Sequence, residues 1–153
     1  MIAELEELNT EERNLMLRTP VLVTILIAGA DDVIDNAEIQ EAINILQENE
    51  DQDESDYYRV IGNTFQERLQ KAIQDFPRDT YERNQLIISQ LETLNLILPK
   101  LKHEFAVSFY EKMKMLAQKI AEASGGVLGY MAVGDEESKY VDLSMINDPS
   151  DPK

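Results

Sequence analysis

Apolar residues recur at helical spacing along most of the chain. Three long segments carry them at intervals of three or four residues, which places their side chains on one face of an α-helix. These stripes are Tyr58, Ile61, Phe65, Leu69, Ile73 and Phe76; then Ile87, Leu91, Leu94 and Leu98; then Leu101, Phe105, Phe109, Met113, Leu116, Ile120 and Ala123. Each stripe predicts a helix that packs this face into a core.

The N-terminal part predicts two further helices. A short one is expected over residues 10–16, and a second is expected to begin at Thr19 and Pro20, because Thr can cap a helix and Pro is tolerated at its first position. The second helix, Val21–Ala28, is apolar on all faces, which is typical of the buried centre of a bundle. Its β-branched residues would also suit a strand, but the chain has no second strand-like run to pair with it.

Two more helices complete the prediction. Apolar residues at helical spacing follow Glu38 up to Leu46, and Asp135-Glu136-Glu137 forms an acidic first turn that suits the helix dipole. The sequence therefore predicts an all-α, single-domain bundle of about seven helices over residues 1–146. Residues 147–153, rich in Asp and Pro, are expected to form a frayed acidic tail.

Composition excludes several classes of site. The 153 residues include no Cys and a single His, which excludes disulfides, thiolate zinc sites and cysteine nucleophiles. The N-terminus is acidic and lacks the basic region of a signal peptide. The longest apolar run, Val21–Ala30, is too short to span a bilayer. A cytoplasmic protein without membrane insertion is expected.

Charge is strongly negative and unevenly distributed. The formal net charge is −16, which argues against nucleic acid and anionic membranes as partners. Residues 1–56 hold 16 acidic and 2 basic side chains, a balance of −14, whereas residues 57–132 hold 8 acidic and 10 basic ones. The dense acidic run from Glu48 to Asp56 is either a solvated linker or a surface for a basic protein partner.

The stretch from Ala28 to Glu38 carries the most informative chemistry. Asp31, Asp32, Asp35 and Glu38 fall within eight residues, between two predicted helices. Asp35 and Glu38 have the spacing of an N-cap and its capping box, so they can be explained by helix initiation alone. Asp31 and Asp32 are not needed for a cap, although Asp is also common in turns.

The alternative interpretation of this loop is a divalent cation site. Ca²⁺ takes about six to eight oxygen ligands and Mg²⁺ about six, so Asp31, Asp35 and Glu38 could supply three carboxylates and backbone carbonyls and water the rest. Asp32 is adjacent, and Glu137 could add a further carboxylate if the two acidic segments meet. The loop does not have the spacing of an EF-hand, and the chain has few ligands for softer metals. Capping alone and Ca²⁺ or Mg²⁺ binding both remain open.

These residues resemble the tellurite-resistance TerB-like domain family. Ala30, Asp31, Asp35 and Glu38 stand at the positions of its Ala-Asp-Gly and Asp-x-x-Glu motif, with Asp32 in place of the usual Gly. A second, weaker match runs from Ser124-Gly125 to Glu137. The resemblance implies a helical bundle with two helix–acidic loop–helix units and a non-enzymatic role in the stress response.

Catalysis has little support in the sequence. No Ser/His/Asp set and no phosphate-binding Gly-rich loop is visible, and the lone His103 lacks the spacing of a metalloprotease motif. His103 lies off the apolar stripe around Leu101 and Phe105 and is expected to face water. Besides the TerB-like hypothesis, two alternatives stay open: an acidic helical adaptor for a basic protein, and a carboxylate metalloenzyme with a pocket beside Asp31 and Glu38.

Overall fold

The computed structural model describes residues 2–29, 39–46, 56–123 and 140–150, and their regular elements are all helical. The α-helices are α1 (Thr10–Ala28), α2 (residues 39–46), α3 (Asp56–Asp75), α4 (Thr80–Ile97) and α5 (His103–Ala123). Short 3₁₀ turns span Ala3–Leu5 and Leu98–Lys100. The all-α prediction is therefore confirmed.

The predicted number of about seven helices is wrong for the described residues, which hold five. The two helices expected before residue 29 are one continuous helix, α1, with Pro20 in its interior. The last predicted helix begins outside the described residues, and residues 140–146 form turns instead of a helix.

Helix α1 begins at a capping box that the sequence analysis did not identify. The side chain of Asn9 accepts a hydrogen bond from the backbone N–H of Glu12 at 2.9 Å, and Glu12 Oε1 accepts one from the N–H of Asn9 at 2.9 Å. Two N–H groups at the start of the helix are thereby satisfied. The cap residue, Asn9, lies ten residues before Thr19, where a separate helix start was predicted.

Pro20 is tolerated inside α1 because a distant side chain replaces the hydrogen bond that it removes. Pro20 has no N–H, so the carbonyl of Met16 lacks its helical donor. The hydroxyl of Tyr57, in the first turn of α3, donates to that carbonyl at 2.6 Å. Burial, and secondarily the neighbouring Tyr58, raises the pKa of Tyr57 well above its ordinary value, so the hydroxyl keeps its proton and remains a donor.

The core is organised around α1, which contacts α3, α4 and α5. Residues from Val21 to Ala28 are buried on every face of the helix, as the sequence predicts. Four aromatic rings from α3 and α5 meet at the helix interface: Tyr57 makes edge-to-face contacts with Tyr58, Phe105 and Phe109 at centroid distances of 4.9, 5.5 and 5.9 Å. Such arrangements are favoured by the ring quadrupoles and fix the approach of the two helices.

Most of the predicted stripes face this core. Ile87, Leu91 and Leu94 of α4 are fully buried, as are Phe109 and Ile120 of α5. The α3 stripe is correct through Leu69. Beyond it Ile73 is 43% exposed, whereas Phe76 is partly buried and packs against the core. The N-cap of α4 is Asp79, whose side chain accepts a hydrogen bond from the N–H of Glu82 at 2.9 Å.

The C-terminal segment is described as far as Ser150. Asn95 of α4 holds it through two hydrogen bonds. Its side-chain nitrogen donates to the carbonyl of Met145 at 3.0 Å, and its side-chain oxygen accepts from the N–H of Asn147 at 2.7 Å. The tail predicted for residues 147–153 thus begins at an anchored residue, and residues 151–153 lie outside the described part of the chain.

Candidate functional site

The predicted cation ligands lie outside the described residues. This holds for Asp31, Asp32, Asp35, Glu38 and Glu137. The structure describes the two ends of the first acidic loop, which follows Gly29 and precedes the helical residues 39–46. Within the described ranges, no three His, Cys, Asp or Glu side chains lie close enough together to hold a metal ion.

The base of the acidic loop is built on a buried arginine. Arg83, in the first turn of α4, is 7% exposed, and its Nη2 donates to the carbonyl of Gly29 at the end of α1. Its Nε and Nη2 also lie 3.3 Å from Oδ1 of Asn84, which is buried beside it. A guanidinium at this position satisfies a carbonyl at the C-terminal end of α1 and complements the negative end of the helix dipole.

A side chain at residue 29 would collide with the end of α1 as well as with the arginine. A Cβ atom at residue 29 would lie 2.8 Å from Nη2 of Arg83 and 2.8 Å from the carbonyl oxygen of Ile25. Both separations are shorter than normal contacts, so a side chain would displace the guanidinium or the end of α1. The residue that starts the acidic loop is therefore constrained by packing and not by backbone conformation, since its φ is −109°.

Arg83 was not among the residues predicted from the sequence to belong to the site, although the sequence contains a signal for it. Arg83 stands four residues before Ile87 and eight before Leu91, so it extends the buried stripe of α4 by one turn. A charged residue in register with an apolar stripe is a candidate for a buried, paired cation, because an uncompensated one would be costly. The partner carbonyl of Gly29 is 54 residues away in sequence, and no local pattern indicates it.

Two of the acidic residues in the N-terminal third have structural partners. Glu4 Oε1 accepts from the backbone N–H of Tyr57 at 2.9 Å, at the start of α3. Glu12 completes the cap of α1 and pairs with Lys100, whose Nζ lies 2.5 Å from Oε2. Part of the negative charge in this region therefore stabilises helix starts, and Glu6, Glu7 and Glu11 remain exposed.

Replacing Lys100 with Met is expected to raise the pKa of Glu12. In the native protein the pKa of this carboxyl lies below its ordinary value of 4.5, first through the Lys100 hydrogen bond and second through the N–H of Asn9. A lowered pKa in the folded state contributes stability above the unfolded pKa, and that contribution is lost as the pH falls through the folded value. The acid-induced loss of stability should therefore become shallower in the variant.

NMR titration of the Glu12 carboxyl measures this change directly. Lys102→Met is the matched control, because Lys102 is exposed, two residues away, and not paired with Glu12. An unchanged Glu12 pKa in Lys100→Met, or an equal rise in Lys102→Met, would show that the ion pair does not set it.

His103 is exposed, as predicted. It lines a cavity of about 270 Å³ together with Leu98, Pro99, Asn147 and Asp148, among others. The chain has no second histidine and no cysteine, so this cavity offers no His/Cys pair for catalysis or for metal binding.

Comparisons with known proteins identify no relative. No protein-family model, curated protein or solved structure matches the chain. Among the described residues, no helix has both the length and the apolar content needed to cross a bilayer.

Proposed function

We propose that this chain is a non-enzymatic, cytoplasmic stress-response protein of the TerB-like kind that binds a divalent cation, Ca²⁺ or Mg²⁺, at its first acidic loop. The proposed ligands are Asp31, Asp35 and Glu38, with Asp32 and Glu137 as further candidates. The proposal rests on the acidic motif and its resemblance to that family, and it is supported by the geometry at the base of the loop.

The observation that supports the proposal best is that the acidic segment begins directly after the C-terminal end of α1. Helix α1 ends at Ala28 inside the core, and helical structure is present again from residue 39. The carbonyl end of a helix favours positive charge. The guanidinium of Arg83 already satisfies part of this preference, so the carboxylates have to supply the remaining attraction. Carboxylates that follow such an end add to a field that attracts cations.

Titration with Ca²⁺ or Mg²⁺ is expected to raise the melting temperature of the protein. A cation that binds only the folded state stabilises it by mass action, so the rise should grow with the logarithm of the cation concentration above the Kd. Asp31→Asn should abolish the rise. Differential scanning calorimetry at constant ionic strength measures it and removes general salt effects.

Asp142→Asn is the matched control for this titration. Asp142 is exposed and lies near Met145, which contacts Asn95 near the C-terminal end of α4. Asn95 is twelve residues from Arg83, a distance of about 18 Å along the helix. The control should keep the native response. The absence of a shift at millimolar cation, or an equal loss in both variants, would contradict the proposal.

A second candidate function is an acidic adaptor for a basic protein. It is favoured by the exposure of Glu6, Glu7 and Glu11, none of which forms an ion pair with another described residue. Binding of a lysine-rich peptide should then weaken with added salt, and neutralising the acidic residues from Glu48 to Asp56 should weaken it further. If those changes leave binding unaltered, the acidic run is only a linker.

A further inference from the structure

Three basic side chains line one groove, although the chain as a whole is strongly acidic. The groove lies between α1, α3 and α4 and has a volume of about 500 Å³. Arg18 of α1 and Arg68 and Lys71 of α3 line it. These three cations come from a chain of net charge −16 with only 14 basic residues, so their convergence is a specific feature of the fold.

No carboxylate neutralises these cations within the described part of the chain. The ion pairs found there are Arg59 with Asp56 and Lys100 with Glu12. Arg18 donates instead to the neutral side chain of Gln90 at 3.1 Å, and Arg68 to the hydroxyl of Thr64 at 3.0 Å. Asp75 also lines the groove but makes no ion pair with them.

The two arginines are held together at an electrostatic cost. Partial desolvation, and secondarily the positive charge of Arg68, lowers the pKa of Arg18. An anion in the groove would relieve both effects, because it supplies the opposite charge and accepts hydrogen bonds from the guanidinium groups. An arginine fork matches the oxygens of a phosphate or carboxylate better than a point charge does.

Part of the remaining wall of the groove is apolar. Phe76 and Pro77, which follow α3, line the groove together with Leu86 of α4, which is 46% exposed. Exposure of a large apolar side chain beside clustered cations suits a ligand with an anionic end and an apolar body. The volume lies within the range of small-molecule sites, about 300–1,000 Å³.

We propose that this groove binds a small phosphate monoester with an apolar or aromatic organic group, its phosphate held by Arg18, Arg68 and Lys71. A phosphate monoester carries close to two negative charges at neutral pH. The groove has three cations and one carboxylate, so a phosphate balances its charge better than a ligand with a single carboxylate would. The organic group contacts Phe76 and Leu86.

Isothermal titration calorimetry with phenyl phosphate, inorganic phosphate and phenylacetate tests this proposal. Phenyl phosphate should bind the full chain most tightly, because it alone offers both the dianion and the apolar body. Its affinity should fall as the pH drops below about 6, where the second phosphate proton is bound. Tightest binding of inorganic phosphate, or equal binding of phenylacetate, would contradict the assignment to a phosphate monoester.

Two charge-removing variants locate the site. Arg18→Gln and Arg68→Gln should each weaken phenyl phosphate binding by about tenfold or more, equivalent to about 1.4 kcal/mol per tenfold. Arg78→Gln makes the same change at an exposed arginine that does not line the groove, and it should leave the Kd within about twofold. Equal weakening by all three would indicate a general field effect and overturn the proposal.

A spectroscopic measurement keeps the test independent of variant stability. Amide NMR shifts on adding phenyl phosphate to the native protein should concentrate at Ala72, Leu86 and Gln90. Shifts confined to other residues would exclude this groove. The inference does not rest on the proposed cation site, since Asp31→Asn should leave phenyl phosphate binding unchanged.

Discussion

Replacing Tyr57 with Phe is expected to lower the free energy of unfolding by about 1–3 kcal/mol, because it leaves a buried carbonyl without a donor. The hydroxyl of Tyr57 is the group that donates to the carbonyl of Met16, and Pro20 cannot supply the helical N–H that would otherwise bind it. The ring, its edge-to-face contacts and its volume are retained in Phe, so the loss reports on the hydrogen bond.

The same substitution should cost less once residue 20 carries an N–H. In a Pro20→Ala background the helix can donate to the Met16 carbonyl itself, and the tyrosine hydroxyl is no longer required. A double-mutant cycle should therefore show a coupling free energy of about 1 kcal/mol or more between residues 20 and 57. The two residues are 37 positions apart in the chain, yet they act on one carbonyl.

Urea denaturation of the four proteins measures this coupling. Tyr110→Phe is the matched control, because its hydroxyl makes no hydrogen bond to the described residues and its removal should change stability by about 0.5 kcal/mol or less. A Tyr57→Phe cost that stays the same in the Pro20→Ala background would mean that the hydroxyl does not compensate for the proline.

The proline also explains why the sequence predicted two helices where the structure has one continuous helix, α1. Thr19-Pro20 has the composition of a helix start, and local rules assign it so. What keeps the helix continuous is Tyr57, whose contribution depends on how α3 packs against α1. The predicted apolar stripe of α3 begins at Tyr58, whereas Tyr57 is fully buried and packs at the centre of the aromatic cluster.

Helical periodicity was sufficient for three of the long helices. Spacings of three and four residues located the cores of α3, α4 and α5, because a buried face repeats with the turn of the helix. The base of the acidic loop could not be found in this way, since Arg83 and Gly29 come from different helices. The groove of Arg18, Arg68 and Lys71 could not be found by periodicity for the same reason. Its cations are separated by up to 53 positions and come together only through the packing of α1 against α3.

The acidic loop itself marks the limit of sequence reasoning for the candidate site. Asp35 and Glu38 fit both a helix cap and a cation site, and the two interpretations use the same atoms. Arg83 bears on both interpretations, because a buried positive charge is already present where the loop begins. Its electrostatic effect on any nearby ligand can be measured.

Replacing Arg83 with Met is expected to lower the free energy of unfolding by about 1.5–3 kcal/mol, as for a hydrogen bond from a charged donor. Met keeps most of the length of the side chain, so little packing is lost, but the buried carbonyl of Gly29 loses its guanidinium donor. Arg78→Met is the matched control at an exposed arginine and should cost about 0.5 kcal/mol or less. Equal costs in urea denaturation would show that the contact with Gly29 is not stabilising.

The same pair of variants distinguishes the two interpretations of the acidic loop. If the loop binds Ca²⁺ or Mg²⁺ within about 10 Å of the guanidinium, the range over which charges act at moderate salt, removing the positive charge should lower the cation concentration at half-saturation. Arg78→Met should leave that concentration unchanged. If Asp31 and Asp32 serve only to balance Arg83, the native protein should show no specific response to Ca²⁺ or Mg²⁺, and Arg83→Met should show only the loss of stability expected from the missing guanidinium. A titration of melting temperature against cation in both variants therefore reports whether these two residues bind a metal ion or the arginine.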